Sequence, residues 1–331
     1  LIRIDRPEVP LLSHRIVTLL PSATEIVCAL GFESELVGRS HECDFPPSVK
    51  RLPSLTEPKF NPEGSSAEID ARVKHIVREA LSVYRVDAAK LRELRPDAIV
   101  TQSQCEVCAV SQADVDAAVG EWTGTRPKVV SLAPYSLGDV FSDMQRVATA
   151  LGAPERGDKL VHDLQMRCAE IREIATKLKT RPTVACIEWI EPMMAGGNWM
   201  PQLVEMAGGI NLFGKAGEHS PWMKFEELVA ADPEIILIAP CGFGIPRASE
   251  ELHLLQKQNG WKQIRAVRDG RVFVADGNQY FNRPGPRIVE SLQILAELIH
   301  PNTFRFGFEG DGWRKVTTTS PSGSEVPRAA G

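Results

Sequence analysis

Apolar positions recur along this chain with two different periods, and the alternation between them lays out its elements. Short apolar runs at Arg15–Leu20, Leu36–Gly38, Ala98–Val100, Val129–Leu132, Val184–Trp189, Glu234–Ala239 and Arg271–Ala275 read as buried strands. Apolar residues at three- and four-residue steps mark helices in between. Ile69, Val73, Ile76, Val77 and Leu81 share one face of a helix over 67–82, and Ile288, Leu292, Leu295 and Leu298 share one face of a closing helix. Shorter helices are expected over 23–30, 88–94, 137–151 and 201–207, the last with Pro201 at its start and Gly208-Gly209 as its stop. Strands alternating with helices define an α/β chain. Ser22 and Glu25 stand at capping-box spacing, which places the amides of the first helix directly after the first strand, at the ligand-facing edge of an open α/β sheet.

The longest helical pattern runs from Pro154 to Arg181, with Leu160, Leu164, Ile171, Ile174 and Leu178 inward and Asp163/Arg167 and Glu173/Lys177 as outward pairs. Roughly 25 helical residues make a rod of about 37 Å, the size of a domain. It reads either as a stiff strut between two lobes or as a long helix inside one domain. One internal echo favours two lobes. Leu94-Arg-Pro-Asp-Ala-Ile in the first half and Ala231-Asp-Pro-Glu-Ile-Ile in the second both lead from a helix through proline and an acid into a strand.

Composition narrows the function classes. With 331 residues, 43% hydrophobic and 24% charged, the chain can bury two cores. A net charge of -5 without any Lys/Arg run excludes nucleic acid as the main partner. No uncharged apolar stretch reaches the length of a membrane span. Residues 1–14 carry charges and prolines where a signal peptide carries its apolar core, so either a leader has been removed or there was none. The compartment stays open between extracytoplasmic and cytoplasmic. From about Val316 the composition turns to Ser, Thr, Pro and Gly, the signature of a disordered tail.

The residues following the strands carry the candidate chemistry. Pro21, Ser22 and His41–Asp44 belong to the first half; Trp189, Trp199, Trp222, Phe243, Tyr280 and Arg283 belong to the second. Aromatics in such loops either cap a core or hold a large planar ligand between apolar walls. No G-x-G-x-x-G, P-loop, G-x-S-x-G or H-E-x-x-H motif occurs, and Phe45 stands where a zincin's second histidine would be. Binding is therefore expected rather than catalysis. Seven cysteines, an odd number scattered through a chain this long, do not form a secreted disulfide framework. Cys28, Cys168 and Cys186 fall in apolar-periodic segments and are expected to be buried. His41, Cys43, Cys105 and Cys108 have the donor types of a tetrahedral zinc or iron site; the thiols would equally suit a disulfide, or reduced groups lining a pocket, with His41 or Cys105 ligating a bound ligand's own metal.

Four ordered landmarks carry a resemblance: Arg15-Ile-Val-Thr-Leu-Leu-Pro-Ser-Ala-Thr-Glu25, Val37-Gly38 with Asp44-Phe-Pro-Pro47, Leu94-Arg-Pro-Asp-Ala-Ile-Val100 and Arg283-Pro-Gly-Pro-Arg-Ile288. Over roughly Arg15 to Pro301 the chain resembles the cobalamin-binding substrate-binding proteins of ABC importers, in the helical-backbone class whose wider membership binds siderophores and haem. The resemblance implies two Rossmann-like α/β lobes joined by one long helix, with a ligand cleft between them. The corresponding division is an extension 1–14, lobes 15–153 and 182–315, a linking helix 154–181 and a tail 316–331. It also implies a monomeric, non-enzymatic receptor that needs no cofactor of its own and takes a corrinoid as ligand. By that resemblance Pro21 and Ser22 touch the ligand from the first lobe and Trp189, Trp222, Tyr280 and Arg283 from the second, Arg283 facing the ligand's anionic periphery. Asp114 and Glu226 align with carboxylates that meet arginines of an ABC permease. His41-Glu-Cys43, Cys105-Glu-Val-Cys108 and the helix over 67–82 depart from the family pattern. They keep a siderophore or haem receptor, and a cytoplasmic thiol-dependent enzyme or chaperone acting on a metal cofactor, as alternatives.

Overall fold

The computed structural model describes residues 14–78, 83–103, 114–115, 118–119 and 126–316. Cys105, Cys108, most of the N-terminal extension, the end of the helix over 67–82 and the tail from 317 onward lie outside the described residues. The chain forms two compact units. Unit 1 comprises the chain up to Ile171 with Ala216–Glu218 and Arg283–Glu290; unit 2 comprises Arg172–Lys215, His219–Asn282 and the chain from Ser291.

Unit 1 contains β1 (Ile16–Thr18), β2 (Leu36–Arg39), β3 (Thr56–Pro58), β4 (Tyr84–Val86), β5 (Ala98–Gln102) and β6 (Lys128–Leu132). Four of them form a parallel sheet in the order β2-β1-β5-β6, while β3 and β4 pair as an antiparallel ribbon. β3 lies within residues 53–65, whose Pro, Gly and Ser content reads as loop. β1 and β5 are buried throughout because a parallel sheet is covered on both faces. Chain order reverses direction between β1 and β5, a topological switch point at which open α/β sheets bind ligands beyond the carboxyl ends of their strands. Its described helices are α1 (Pro21–Ala29), α2 (Ser66–Arg78), α3 (Ala88–Leu94), α4 (Leu137–Ala150) and most of α5 (Pro154–Thr176).

Unit 2 contains β7 (Thr183–Trp189), β8 (Met194–Ala195), β9 (Ile210–Asn211), β10 (Ile235–Ile238), β11 (Val272–Ala275) and β12 (Trp313–Lys315), in the order β12-β11-β10-β7-β8 with β9 on β7. The central strands are parallel, and β8 and β12 close the two edges antiparallel. The helices are α6 (Met200–Met206), α7 (Phe225–Ala231), α8 (Ile245–Gln256), α9 (Arg265–Arg268) and α10 (Ile288–Ile299), whose first residues belong to unit 1. The internal echo is built into both backbones. Arg95 and Asp232 end α3 and α7 in the left-handed conformation, each with φ of 43°. Proline follows, and then an acid accepts an amide from the start of the unit's first strand: Arg15 N to Asp97 at 2.9 Å, Thr183 N to Glu234 at 2.9 Å.

The chain passes from unit 1 to unit 2 within α5, so this α/β fold has the two lobes and long linking helix that the sequence implied. Three details differ. The helix stops at Thr176 rather than Arg181: the amides of Lys177 and Leu178 donate to the carbonyls three residues back, of Ile174 and Ala175, both at 3.1 Å, so the last turn tightens and the α ladder ends. Its buried stripe is Leu164, Cys168, Ile171 and Ala175, leaving Ile174 46% exposed. Lys177 pairs with Glu173 as expected, but Asp163 takes Lys159 instead of Arg167. Near its start a Cβ on Gly157 would lie 2.6 Å from the Ala148 Cβ, so α4 and α5 touch backbone to side chain at a place only glycine fills.

Candidate functional site

At the carboxyl edge of the unit 1 sheet, α1 follows β1 without the expected capping box. Leu20 is the N-cap, Pro21 takes the first helical position, and Ser22 lies inside the helix. Glu25 is therefore not spent on a backbone amide. Its carboxylate, 2% exposed, accepts two hydrogen bonds from Arg287 at 2.9 and 2.6 Å and one from Arg283 at 3.3 Å. Arg283 also reaches Asp44 at 2.6 Å, and the Arg287 guanidinium lies 4.1 Å over the Phe45 ring. These pairs hold Arg283–Glu290 in unit 1, whereas the sequence reading put Arg283 in the second lobe, facing ligand. Arg283 is only 5% exposed and already matched. Ser22 is 2% exposed, and its Oγ has no hydrogen-bond partner. Beside it, a Cβ on Gly285 would lie 3.6 Å from the Ser22 Cβ.

The loop after β2 supplies the rest of this edge. His41 is half-buried, and its backbone N–H and Nδ1 both meet the Thr56 hydroxyl, at 3.0 and 2.7 Å. Thr56 in turn hydrogen-bonds Ser40 Oγ at 2.9 Å, which ties the imidazole into a short chain of hydroxyls. Burial, helped by Arg39, holds the ring below the usual histidine range. Glu42 accepts from the Tyr84 hydroxyl at 3.2 Å. Burial pushes its carboxyl up, partly offset by Tyr84 and Arg283. Burial also raises Asp44, but the hydrogen bond and charge of Arg283 outweigh it and hold the carboxyl below the usual range.

In unit 2 the strand pairing lines up three large side chains. Trp189 on β7 pairs with Met194 on β8, and Met194 forms a bridge to Trp222. Directly paired residues on neighbouring strands project to the same face, so these three form one row at the carboxyl end of β7. Trp222 is 54% exposed. Behind the row, Trp189 and Phe243 stand 5.2 Å apart, and the Arg247 guanidinium covers Phe243 at 3.9 Å. Phe243 and Trp199 are themselves core: both are buried, and the Trp199 indole N–H donates to the Phe281 carbonyl at 3.0 Å. Tyr280 is half-buried, edge-on to Phe308 at 5.8 Å.

The cysteines resolve in part. Cys168 and Cys186 are buried as expected. Cys43, read as a loop thiol, is 1% exposed and accepts from Thr24 Oγ1 at 2.9 Å, whereas Cys28, read as core, is half-buried. Burial pushes the thiols of Cys43 and Cys168 to about 11 and those of Cys28 and Cys186 to about 12. Among the described residues no three His, Cys, Asp or Glu side chains gather as a metal site. Glu226 is exposed on the first turn of α7, while Asp114 is half-buried. Sequence reasoning missed Tyr84, Arg247 and the Glu25 pairing, and gave Glu42 and Met194 no role of their own. The signal for that pairing lay in the quoted landmarks, which contain Glu25, Asp44, Arg283 and Arg287.

Two α/β units with loops gathered beyond parallel strand ends define a binding-protein architecture, and the chain belongs to the periplasmic binding protein family, whose sequence profile matches residues 16–278. Among curated relatives it is 25% identical over 297 residues to an uncharacterised ABC transporter substrate-binding lipoprotein of Bacillus subtilis, covering 88% of this chain and 81% of that one. It is 20% identical over 296 residues to the vitamin B12-binding protein of Vibrio cholerae, covering 87% and 89%. Among solved structures, a periplasmic heme-binding protein from Pseudomonas aeruginosa superposes with a TM-score of 0.67 at 24% identity, over 93% of this chain and 99% of that one. No described helix is long and apolar enough to cross a membrane.

Proposed function

We propose that this chain is a non-catalytic receptor for a corrinoid, cobalamin or cobinamide, which it delivers to an ABC permease. The observation that carries the reading is the row Trp189–Met194–Trp222 at the carboxyl end of the unit 2 sheet. Two strand spacings make it about 10 Å broad, matching the face of a tetrapyrrole-sized ring. Exposed tryptophan is poorly placed for stability and well placed for stacking on a flat ligand. The vitamin B12-binding relative supports a corrinoid; the heme-binding structural neighbour makes haem, with siderophores, the runner-up. Thiols pushed to 11 or 12 are poor nucleophiles at neutral pH, which counts against a thiol-dependent enzyme working through them. Exposed Glu226 is the permease-facing carboxylate on this reading, with Asp114 its counterpart on unit 1.

Titration with cobalamin, cobinamide, hemin and a ferric siderophore, followed by tryptophan fluorescence, tests it. Saturable quenching by one of the first two is expected, and Trp222→Ala should weaken it by at least about tenfold while leaving stability within about 0.5 kcal/mol. Quenching by hemin or siderophore alone transfers the assignment to the runner-up. Quenching by none of the four removes the receptor reading.

A further inference from the structure

The charged groups at the unit 1 edge are already matched among themselves. Glu25 and Asp44 neutralise Arg283 and Arg287, both arginines being at most 7% exposed. Glu42 adds a third carboxyl beside Asp44 and Arg283, held by Tyr84. Of the other nearby cations, Arg39 donates to the carbonyls of Ser40, His41 and Lys50, and Lys50 itself is exposed and screened by solvent. The buried, partnerless Ser22 hydroxyl, next to Gly285 between the two arginines, is a polar atom awaiting a partner at the same edge.

We infer that this cluster makes unit 1 a filter for the charge of the ligand's periphery: it accepts neutral, amide-bearing chelates and disfavours those carrying carboxylates. The inference rests on the receptor reading above and names the substrate class for the same site. An incoming carboxylate would have to displace Asp44 from Arg283 and sit against Glu42. An amide does neither. Its N–H groups find acceptors in Asp44 and Glu42, whose carboxylates keep open lone pairs, and its oxygen can accept from a hydroxyl such as that of Ser22. Corrinoids carry amides around the ring, whereas haem carries two carboxylates, so the filter points toward the former.

The test compares affinities for aquocobinamide and hemin by fluorescence titration in the wild type and in Asp44→Asn, Glu42→Gln and the control Glu57→Gln. Glu57 lies on β3, with its side chain 54% exposed and paired to Arg85. The wild type should bind aquocobinamide at least about tenfold more tightly than hemin, one charge conflict of ordinary size. Asp44→Asn removes one of the two carboxylates on Arg283, leaving Glu25, and should narrow that ratio at least fivefold; Glu42→Gln should do the same in milder degree, and Glu57→Gln should leave it unchanged. If Asp44→Asn does not fold by circular dichroism, Glu42→Gln decides the matter alone. A wild type that prefers hemin, cluster variants that leave the ratio unmoved, or a control that moves it equally overturns the filter while leaving a chelate receptor standing. Binding of neither ligand removes the receptor reading instead.

Discussion

Replacing Glu25 by alanine should destabilise unit 1 more than almost any other single surface-distant change. The carboxylate is 2% exposed and meets guanidinium groups that are 5% and 7% exposed, at 2.6 to 3.3 Å. Without it, Arg287 loses both of its hydrogen bonds to Glu25 and keeps the Phe45 ring and the charges of Asp44 and Glu290, and Arg283 keeps Asp44. Removing one partner of a buried ion pair costs about 3–5 kcal/mol, a third or more of the stability of an ordinary domain. With a urea dependence of about 2 kcal/mol/M, the midpoint should fall by about 1.5–2.5 M. Far-UV circular dichroism is the right probe, because five of the six tryptophans, Trp189, Trp199, Trp222, Trp261 and Trp313, lie in unit 2 and only Trp122 belongs to unit 1, so fluorescence is weighted toward unit 2. A Glu25→Ala/Arg287→Ala cycle should return a coupling of at least about 1.5 kcal/mol. A loss below about 1 kcal/mol for Glu25→Ala, or no coupling in the cycle, would refute the view that this cluster anchors Arg283–Glu290.

Three further outcomes are expected. Because Arg283 holds Asp44 below the usual carboxylate range, their pair stabilises unit 1 at pH values above the unfolded value of about 4 and loses that contribution as pH falls through the depressed folded value; Asp44→Asn should flatten the acid limb of urea midpoints measured from pH 2 to 6. Native protein treated with iodoacetamide at pH 8 should be spared at Cys43 and Cys186 and labelled at both in urea, as peptide mapping would show; native labelling of either contradicts the burial described. Gly157→Ala should cost about 1–2 kcal/mol in urea denaturation, since the overlap with Ala148 outweighs a gain of about 1 kcal/mol in helix propensity.

Much of the fold was legible because it depends on neighbours in sequence. Periodicity located β7, α4 and α10 to within a residue or two, and the repeated helix-proline-acid-strand pattern marks two helix ends that the structure closes with left-handed caps of the same φ. Where a local rule competed with a distant partner, the sequence misled. Ser22 and Glu25 satisfy the capping-box spacing, yet the carboxylate goes to arginines 258 and 262 residues away, because matching a buried charge is worth more than one amide cap.

The candidate site divides along the same line. Sequence alone determined which residues stand at strand ends, since that follows from where each apolar run stops. Tertiary structure decided which of them are available: Trp222 is exposed, while Trp199 and Phe243 are core, Arg283 is spent on Glu25 and Asp44, and Cys43 is sealed beneath Thr24. Exposure and charge matching are properties of atoms brought together from far along the chain, and a linear pattern carries no record of them.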